Sequence, residues 1–360
     1  MSAAILNLTT DVVELARAVC DIESVSGNEA ALADAIEAAL SNYEHLEVIR
    51  NQDAVIARTN LGRAKRVVIA GHIDTVPVVD NLPTKLLSFE REQVLWGRGS
   101  VDMKAGIAVQ LKLAAKLVNP KTDITWIFYD HEEVDASLNG LGRIARTQPE
   151  LLKSDFAVLC EPTGALLEGG CNGTIRIEVS ATGKKAHSAR PWMGENAIHK
   201  LAPVLEKLAS YQPQTVNVDG LDYKESLNAV LASAGIATNV IPDLATLTVN
   251  YRFAPSRSGE EAEALMREFI AGFDVEVTDL AVGARPGLNT LQAQAFIAAL
   301  GSEVKPKYGW TDVARFSALG IPAVNYGPGD PSLAHADNEN VPVGHLFDCE
   351  AGLRGWLSGN

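Results

Sequence analysis

At 360 residues the chain exceeds the usual span of one domain, and its 47% hydrophobic content is ample for sizeable cores, so two domains are expected. A formal net charge of −14 and a pI near 5.0 argue against nucleic acid or an anionic membrane surface as partner, and any anionic ligand must be held by local positive charge. Cys20, Cys160, Cys171 and Cys349 show no CxxC spacing and are too few to staple such a chain; with no basic segment leading into an apolar core, they suggest reduced thiols in a soluble cytoplasmic protein.

In chain order, an amphipathic helix is predicted over about Asp11 to Cys20, and Ser26 with Glu29 reads as a capping box before a second helix, Ala30 to Leu40. Short strands follow near Glu47 to Thr59 and at Val67 to Ala70. The latter run, apolar and bounded by turn residues, suits a strand covered on both faces, and it stops at Gly71-His72-Ile73-Asp74. Side chains two apart on an extended segment point the same way. The Asp74 carboxylate can therefore take one imidazole N–H of His72 and leave the other nitrogen for a metal; a hydrogen-bonded pair without metal reads equally well. A glycine-punctuated loop, Trp96 to Lys104, then opens a helix from about Ala105 to Val118, with Asp102 just ahead of it as an N-cap or a ligand. Its GRGSVDMK lacks the Gly-Lys-Ser/Thr ending that a phosphate cradle requires.

The strand Asp123 to Tyr129 runs into Asp130-His131-Glu132-Glu133, and the strand Phe156 to Cys160 runs into Glu161-Pro162-Thr163. Independent surface charges would not recur at strand ends, whereas a parallel sheet gathers its carboxyl ends along one edge. A further strand, Ala323 to Tyr326, leads into a turn-rich loop that ends at His335. Between these lies a different texture. Thr174 to Val179 and Thr246 to Phe253 alternate polar and apolar residues, with helical stretches near Asn196 to Ser210 and Glu260 to Ile270. The expected fold is therefore α/β: a twisted, mostly parallel sheet between helices formed by 1–171 and 285–360, with an inserted α+β domain over 172–284. The last helices are expected near Thr290 to Leu300 and Val343 to Leu357.

GHIDTVP, GRGSVDMKAG, the Glu132-Glu133 pair, Glu161-Pro162-Thr163 and the late His335, in that order across nearly the whole chain, resemble the M20 family of co-catalytic zinc amidohydrolases. The stretch Gly309 to Val341 is similar to that family's succinyl-diaminopimelate desuccinylase branch, in its shorter actinobacterial form. The resemblance implies a zinc-peptidase-like catalytic domain carrying two Zn²⁺ per chain, with Co²⁺ or Mn²⁺ as possible substitutes. It implies that His72 and Glu161 bind one ion, that Glu133 and His335 bind the other, and that Asp102 bridges both. Asp74 orients His72, and Glu132 is the general base. His131 departs from the family, whose members usually carry aspartate there.

In the inserted domain the resemblance makes His187 an oxyanion donor and Asn239 and Arg252 substrate contacts; Thr311 matches a substrate-contacting threonine. On its strand Arg252 faces away from the buried side, which suits either an anion ligand or a solvated arginine. The implied partner is a small anionic N-acyl amino acid, and the implied assembly is a homodimer joined by the inserted domain. The implied reaction is hydrolysis of the amide of N-succinyl-LL-2,6-diaminopimelate. Another M20 deacylase or carboxypeptidase, such as an N-acetylornithine deacetylase or aminoacylase, would share every metal motif. A binding protein on the same scaffold would have no need of a base beside the ligands.

Overall fold

The computed structural model describes residues 5–89 and 92–358. They divide into two compact units: Met1–Gly169 with Gly287–Lys305 and Thr311–Asn360, and Gly170–Pro286 with Pro306–Trp310. The short stretch 306–310, which the sequence reading assigned to the catalytic segments, is tied instead to the second unit. Asn172 N–H donates to the Lys307 carbonyl at 3.2 Å and Trp310 Nε1 to the Val282 carbonyl at 3.0 Å.

The first unit is built on an eight-stranded sheet. Arg66–His72 lies parallel between Asp123–Tyr129 and Phe156–Leu159, and Ala323–Asn325 is parallel to Phe156–Leu159. These four parallel strands form the middle. Antiparallel strands flank them: Ala54–Arg58 and Glu47–Asn51 on one side, Leu167–Gly169 on the other. Every residue of Asp123–Tyr129 is buried, as is every residue of Arg66–His72 after the first, so both faces of the central strands are covered as their apolar runs imply. Helices Val12–Cys20, Ala30–Leu40, Lys104–Lys116 and Val343–Ser358 share one large core with the sheet.

The expected capping box does not form. Glu29, at the N-cap of Ala30–Leu40, has helical backbone and makes no capping bond. Its carboxylate accepts instead from Gly27 N–H at 2.9 Å and His131 N–H at 3.3 Å, while the Ser26 hydroxyl donates to Asp74. The reason is a tertiary override: Ser24 to Ser26 runs beside Ile73 to Thr75, with Thr75 N–H donating to the Ser24 carbonyl and Ser26 N–H to the Thr75 carbonyl. A capping box does occur in the second unit, where Ser258 and Glu261 start the helix Gly259–Phe269.

The second unit is a four-stranded antiparallel sheet in the order Ser226–Ala234, Leu244–Phe253, Gly173–Thr182, Asp274–Ala281. Burial alternates along Leu244–Phe253, and one face packs Ile175, Ile177, Val179, Leu247 and Val249 with residues of the helices Ala202–Ser210 and Gly259–Phe269. The helical stretch expected over 196–210 is divided at Leu201 into Ala197–Lys200 and Ala202–Ser210, with Pro203 in the first turn of the latter.

Candidate metal centre and substrate groups

Strand register brings the charged stops together. His72 is paired with Tyr129, and Ala70 with Leu159, so His72, the Asp130–Glu133 loop and Glu161 all emerge at one edge of the sheet. Asp102 reaches the same edge from the N-terminus of Lys104–Lys116, which packs very closely on the strand. A Cβ on Gly71 would lie 2.5 Å from both Met103 Cε and Gln110 Nε2, and one on Gly106 would lie 2.3 Å from the Cys160 carbonyl oxygen. Those two glycines let the Asp102 segment sit against the ends of both strands.

The ligating atoms form overlapping groups. In each of the sets His72–Asp102–Glu161, His72–Glu132–Glu133 and Asp102–Glu133–His335, the candidate donor atoms lie within 4.8 Å of one another. Asp102 divides its carboxylate between two histidines, Oδ1 lying 3.1 Å from His72 Nε2 and Oδ2 lying 3.4 Å from His335 Nε2. Glu133 Oε1 is 3.0 Å from His335 Nε2. Imidazole and carboxylate oxygen are a donor set that Zn²⁺, Co²⁺ and Mn²⁺ accept, and the spacing suits ions held at about 2.0–2.2 Å from each ligand. The residues present therefore fit a pair of divalent ions sharing Asp102.

Asp74 does more than the sequence reading gave it. His72 Nδ1 lies 3.0 Å from the Asp74 backbone carbonyl and 3.5 Å from its carboxylate, so the main chain is the nearer partner of the ring. The carboxylate accepts from Glu132 N–H and Glu133 N–H, both at 3.0 Å, and from the Ser26 hydroxyl at 2.7 Å. It thus fixes the backbone of both glutamates as well as facing His72. Burial alone would raise the pKa of Asp74, yet His72 and these two amides hold it below the usual carboxylate range.

Burial pushes the Glu132 carboxyl well above the ordinary range against the pull of His72, with the Asp312, Glu161 and Glu133 carboxylates adding to it. A carboxyl whose proton affinity is raised in this way suits a group that takes up and passes on a proton. His335 is raised to about 10 by Asp102 and Glu133 against partial burial. Burial lowers His72, but the carboxylates of Asp102 and Asp74 override it and leave the imidazole well above its ordinary value. His131, in left-handed backbone at φ 59°, lies 2.8 Å from Asp130 Oδ2 and 3.3 Å from Glu29 Oε1, so its local bonds serve the loop.

Four groups that the sequence offered, His187, Asn239, Arg252 and Thr311, lie outside these ligand sets. In the second unit, Ala186–His187 pairs with Val240–Ile241, and Ser188 N–H donates to the Asn239 carbonyl at 2.9 Å, which sets His187 beside Asn239. Both side chains are exposed. His187 Nδ1 accepts from Ala189 N–H at 3.1 Å, which leaves the proton of a neutral ring on Nε2 as a donor. Arg252 lies on the partly polar face of the sheet and donates to Asn250 Oδ1 at 3.1 Å; burial and the nearby Arg176 lower its pKa. Thr311 is buried in the first unit and its hydroxyl donates to Asn325 Oδ1 at 3.0 Å.

Sequence reasoning missed the groups that hold the ligands in place: Ser26, Arg98 and Glu339. Arg98 and Glu339 are both nearly inaccessible, and although each lies in a motif quoted above, a pairing across 241 positions leaves no local signal.

A two-unit α/β fold with overlapping imidazole–carboxylate groups at the strand ends defines a metal-dependent amidohydrolase of the peptidase type. The chain belongs to peptidase family M20/M25/M40, whose sequence pattern matches residues 68–357. It is 48% identical to the succinyl-diaminopimelate desuccinylase of Corynebacterium glutamicum over 98% of each chain. A Mycobacterium tuberculosis protein provisionally assigned the same activity is 52% identical, over 98% of this chain and all of its own. Among solved structures, a Staphylococcus aureus tripeptidase superposes with a TM-score of 0.78 over 98% of each chain at 20% identity, a likeness of fold.

Proposed function

We propose that the chain is a cytoplasmic, dizinc succinyl-diaminopimelate desuccinylase, which hydrolyses N-succinyl-LL-2,6-diaminopimelate to succinate and LL-2,6-diaminopimelate. The observation that carries this reading is the full-length identity with the corynebacterial desuccinylase. The clustering of donor atoms supports it: His72 and Glu161 would hold one ion, Glu133 and His335 the other, and Asp102, which lies beside both histidines, would be shared. When bound, the ions supply an electrophile for the amide carbonyl and acidify the attacking water.

The remaining work falls to side chains. Glu132 takes the proton from the nucleophilic water and delivers it to the departing amine, a role that its raised pKa favours. Asp74 keeps Glu132 and Glu133 in register through their amides. His187, with its Nε2 proton outward, donates to the developing oxyanion. Arg252, Asn239 and Thr311 bind the substrate, whose several carboxylates a guanidinium suits.

The same reading makes the protein a homodimer through the second unit, with each site taking His187 from the partner subunit. The edge strand Ser226–Ala234 supports it: Val230 and Leu231 are 57% and 66% exposed, and an apolar, unpaired strand edge invites another strand. Four buried free cysteines agree with a reducing compartment, and among the described residues no helix is long and apolar enough to cross a membrane.

The test is a panel of N-succinyl-diaminopimelate, N-acetylornithine and simple N-acyl amino acids at saturating zinc. The reading expects kcat/KM for the first to exceed the others by at least about 100-fold, the discrimination a lost polar contact gives. A preference for N-acetylornithine or for simple acyl amino acids would replace it by another M20 deacylase.

A further inference from the structure

Asp102 and His335 are 233 positions apart, yet one buried Arg98–Glu339 pair bonds the backbone beside both. Glu339 Oε1 accepts from Val101 N–H at 2.8 Å and Asp102 N–H at 3.0 Å. Its Oε2 accepts from Arg98 Nη1 at 2.9 Å, and that same nitrogen donates to the Ala336 carbonyl at 3.2 Å, the residue after His335. Arg98 Nε donates to the Pro77 carbonyl at 3.1 Å, three residues beyond Asp74, and Gly97 N–H donates to the Glu339 carbonyl at 3.0 Å. Arg98 and Glu339 are 3% and 1% exposed.

His335 adopts φ 65°, a left-handed conformation that is uncommon for a residue other than glycine. Glu339 N–H and Arg98 Nη1 both donate to Ala336, and so pin the chain just past that residue. The two side chains bond to each other and to the backbone at Pro77, Val101, Asp102 and Ala336. A buried ion pair of this kind is weak as a source of stability but strong as a geometric constraint.

We infer that the Arg98–Glu339 pair is the positioning element of the metal centre. It sets the distance between the bridging carboxylate of Asp102 and the imidazole of His335, and thereby the occupancy and separation of the two ions. This rests on the dinuclear reading proposed above. Glu339 itself is placed to touch no ion: its oxygens are taken by two amides and a guanidinium.

The test uses Mn²⁺ as the probe, with a binding isotherm, the exchange-coupled pair signal in electron paramagnetic resonance, and thermal unfolding of the metal-free protein. Glu339→Gln keeps an oxygen for the two amides but gives up the charge facing Arg98. It leaves the Arg98 charge buried without its partner, so the metal-free protein should melt at lower temperature, while the folded protein should bind Mn²⁺ about 10–100-fold more weakly and give less coupled signal per bound ion. Arg98→Met should behave alike, and the double variant should be no worse than either single one, because both remove one shared constraint. Arg98→Lys, which keeps a cation against Glu339, should recover part of the coupled signal. A wild-type isotherm and coupled signal in Glu339→Gln, or in Arg98→Met where Glu339→Gln does not fold, would overturn the inference alone. Wild-type protein that binds no coupled pair would overturn the dinuclear reading and the inference with it.

Discussion

The two units present their functional groups in opposite ways. At the sheet edge of the first unit the candidate ligands bond to one another and to backbone amides, and His72, Asp74 and Glu161 are at most 5% exposed. In the second unit His187 and Asn239 project from a two-residue ladder into solvent, and Arg252 stands half-buried on the sheet face opposite the apolar cluster. The first arrangement is assembled by folding alone. The second has surface groups whose proposed work needs something brought to them, and it can be removed without disturbing a core.

That contrast is sharpest for the paired glutamates and His187. Glu132→Gln keeps the shape of the base and removes its ability to accept a proton, so kcat should fall by roughly 10²–10⁴-fold while both ions still bind. Glu133→Ala should instead weaken one ion in a calorimetric zinc titration. The reverse pattern would exchange the two roles.

His187→Ala should cost roughly 10²–10³-fold in kcat, the loss of one oxyanion donor, with metal binding and thermal stability unchanged. Mixing it with Glu132→Gln separates the two possible sources of this histidine. If His187 is shared across a dimer, about half the randomised dimers are mixed and each regains one site, so activity returns to roughly a quarter of wild type. With subunit exchange verified by mass-tagged chains, no recovery would mean that His187 acts within its own chain.

Arg252→Met should lower kcat/KM for the anionic substrate by roughly 30-fold, about 2 kcal/mol for one charged hydrogen-bonded contact. An unchanged value would make Arg252 a solvated surface arginine.

The smallest effect is on stability. In metal-free protein the His335 pKa of about 10 lies above its unfolded value near 6.5. The stabilisation from its carboxylate partners is then complete below about 6.5 and is lost as pH rises through about 10. Metal-free protein should accordingly melt at lower temperature as the pH is raised from 7 to 10. Zinc loading at pH 7 should displace protons from both His335 and His72, which calorimetry in buffers of different ionisation enthalpy measures directly. Zinc uptake without proton release would contradict both shifts.

The strand-end pattern was legible because a parallel sheet converts a one-dimensional signal, apolar run then charged stop, into a three-dimensional edge. His72, Glu132, Glu133 and Glu161 could be read that way, and the alternating strands of the second unit declared themselves by period. Three things could not be read. Ser26 and Glu29 have the local spacing of a cap, but the chain beside Ile73–Thr75 claims them for long-range bonds. Asp74 stands two residues from His72, which correctly puts the two together; which oxygen meets the ring depends on loop geometry, and the carbonyl proves the nearer. Arg98 lies in GRGSVDMKAG and Glu339 in the stretch Gly309 to Val341, but neither motif says that the two pair, since the pairing exists only once residues 241 apart have met.

The last point bears on when the enzyme becomes able to work during its own synthesis. A nascent chain that has emerged as far as Ala323 already owns His72, Asp102, Glu132, Glu133 and Glu161, and most of the parallel sheet that aligns them. It still lacks His335 to complete the second group, and Glu339 to grip the amides of Val101 and Asp102. Domains form progressively as they leave the ribosome, and on the proposed reading this centre closes only once the segment 335–339 has emerged. A product terminated before His335 would then hold most of the sheet yet lack a ligand of the second group.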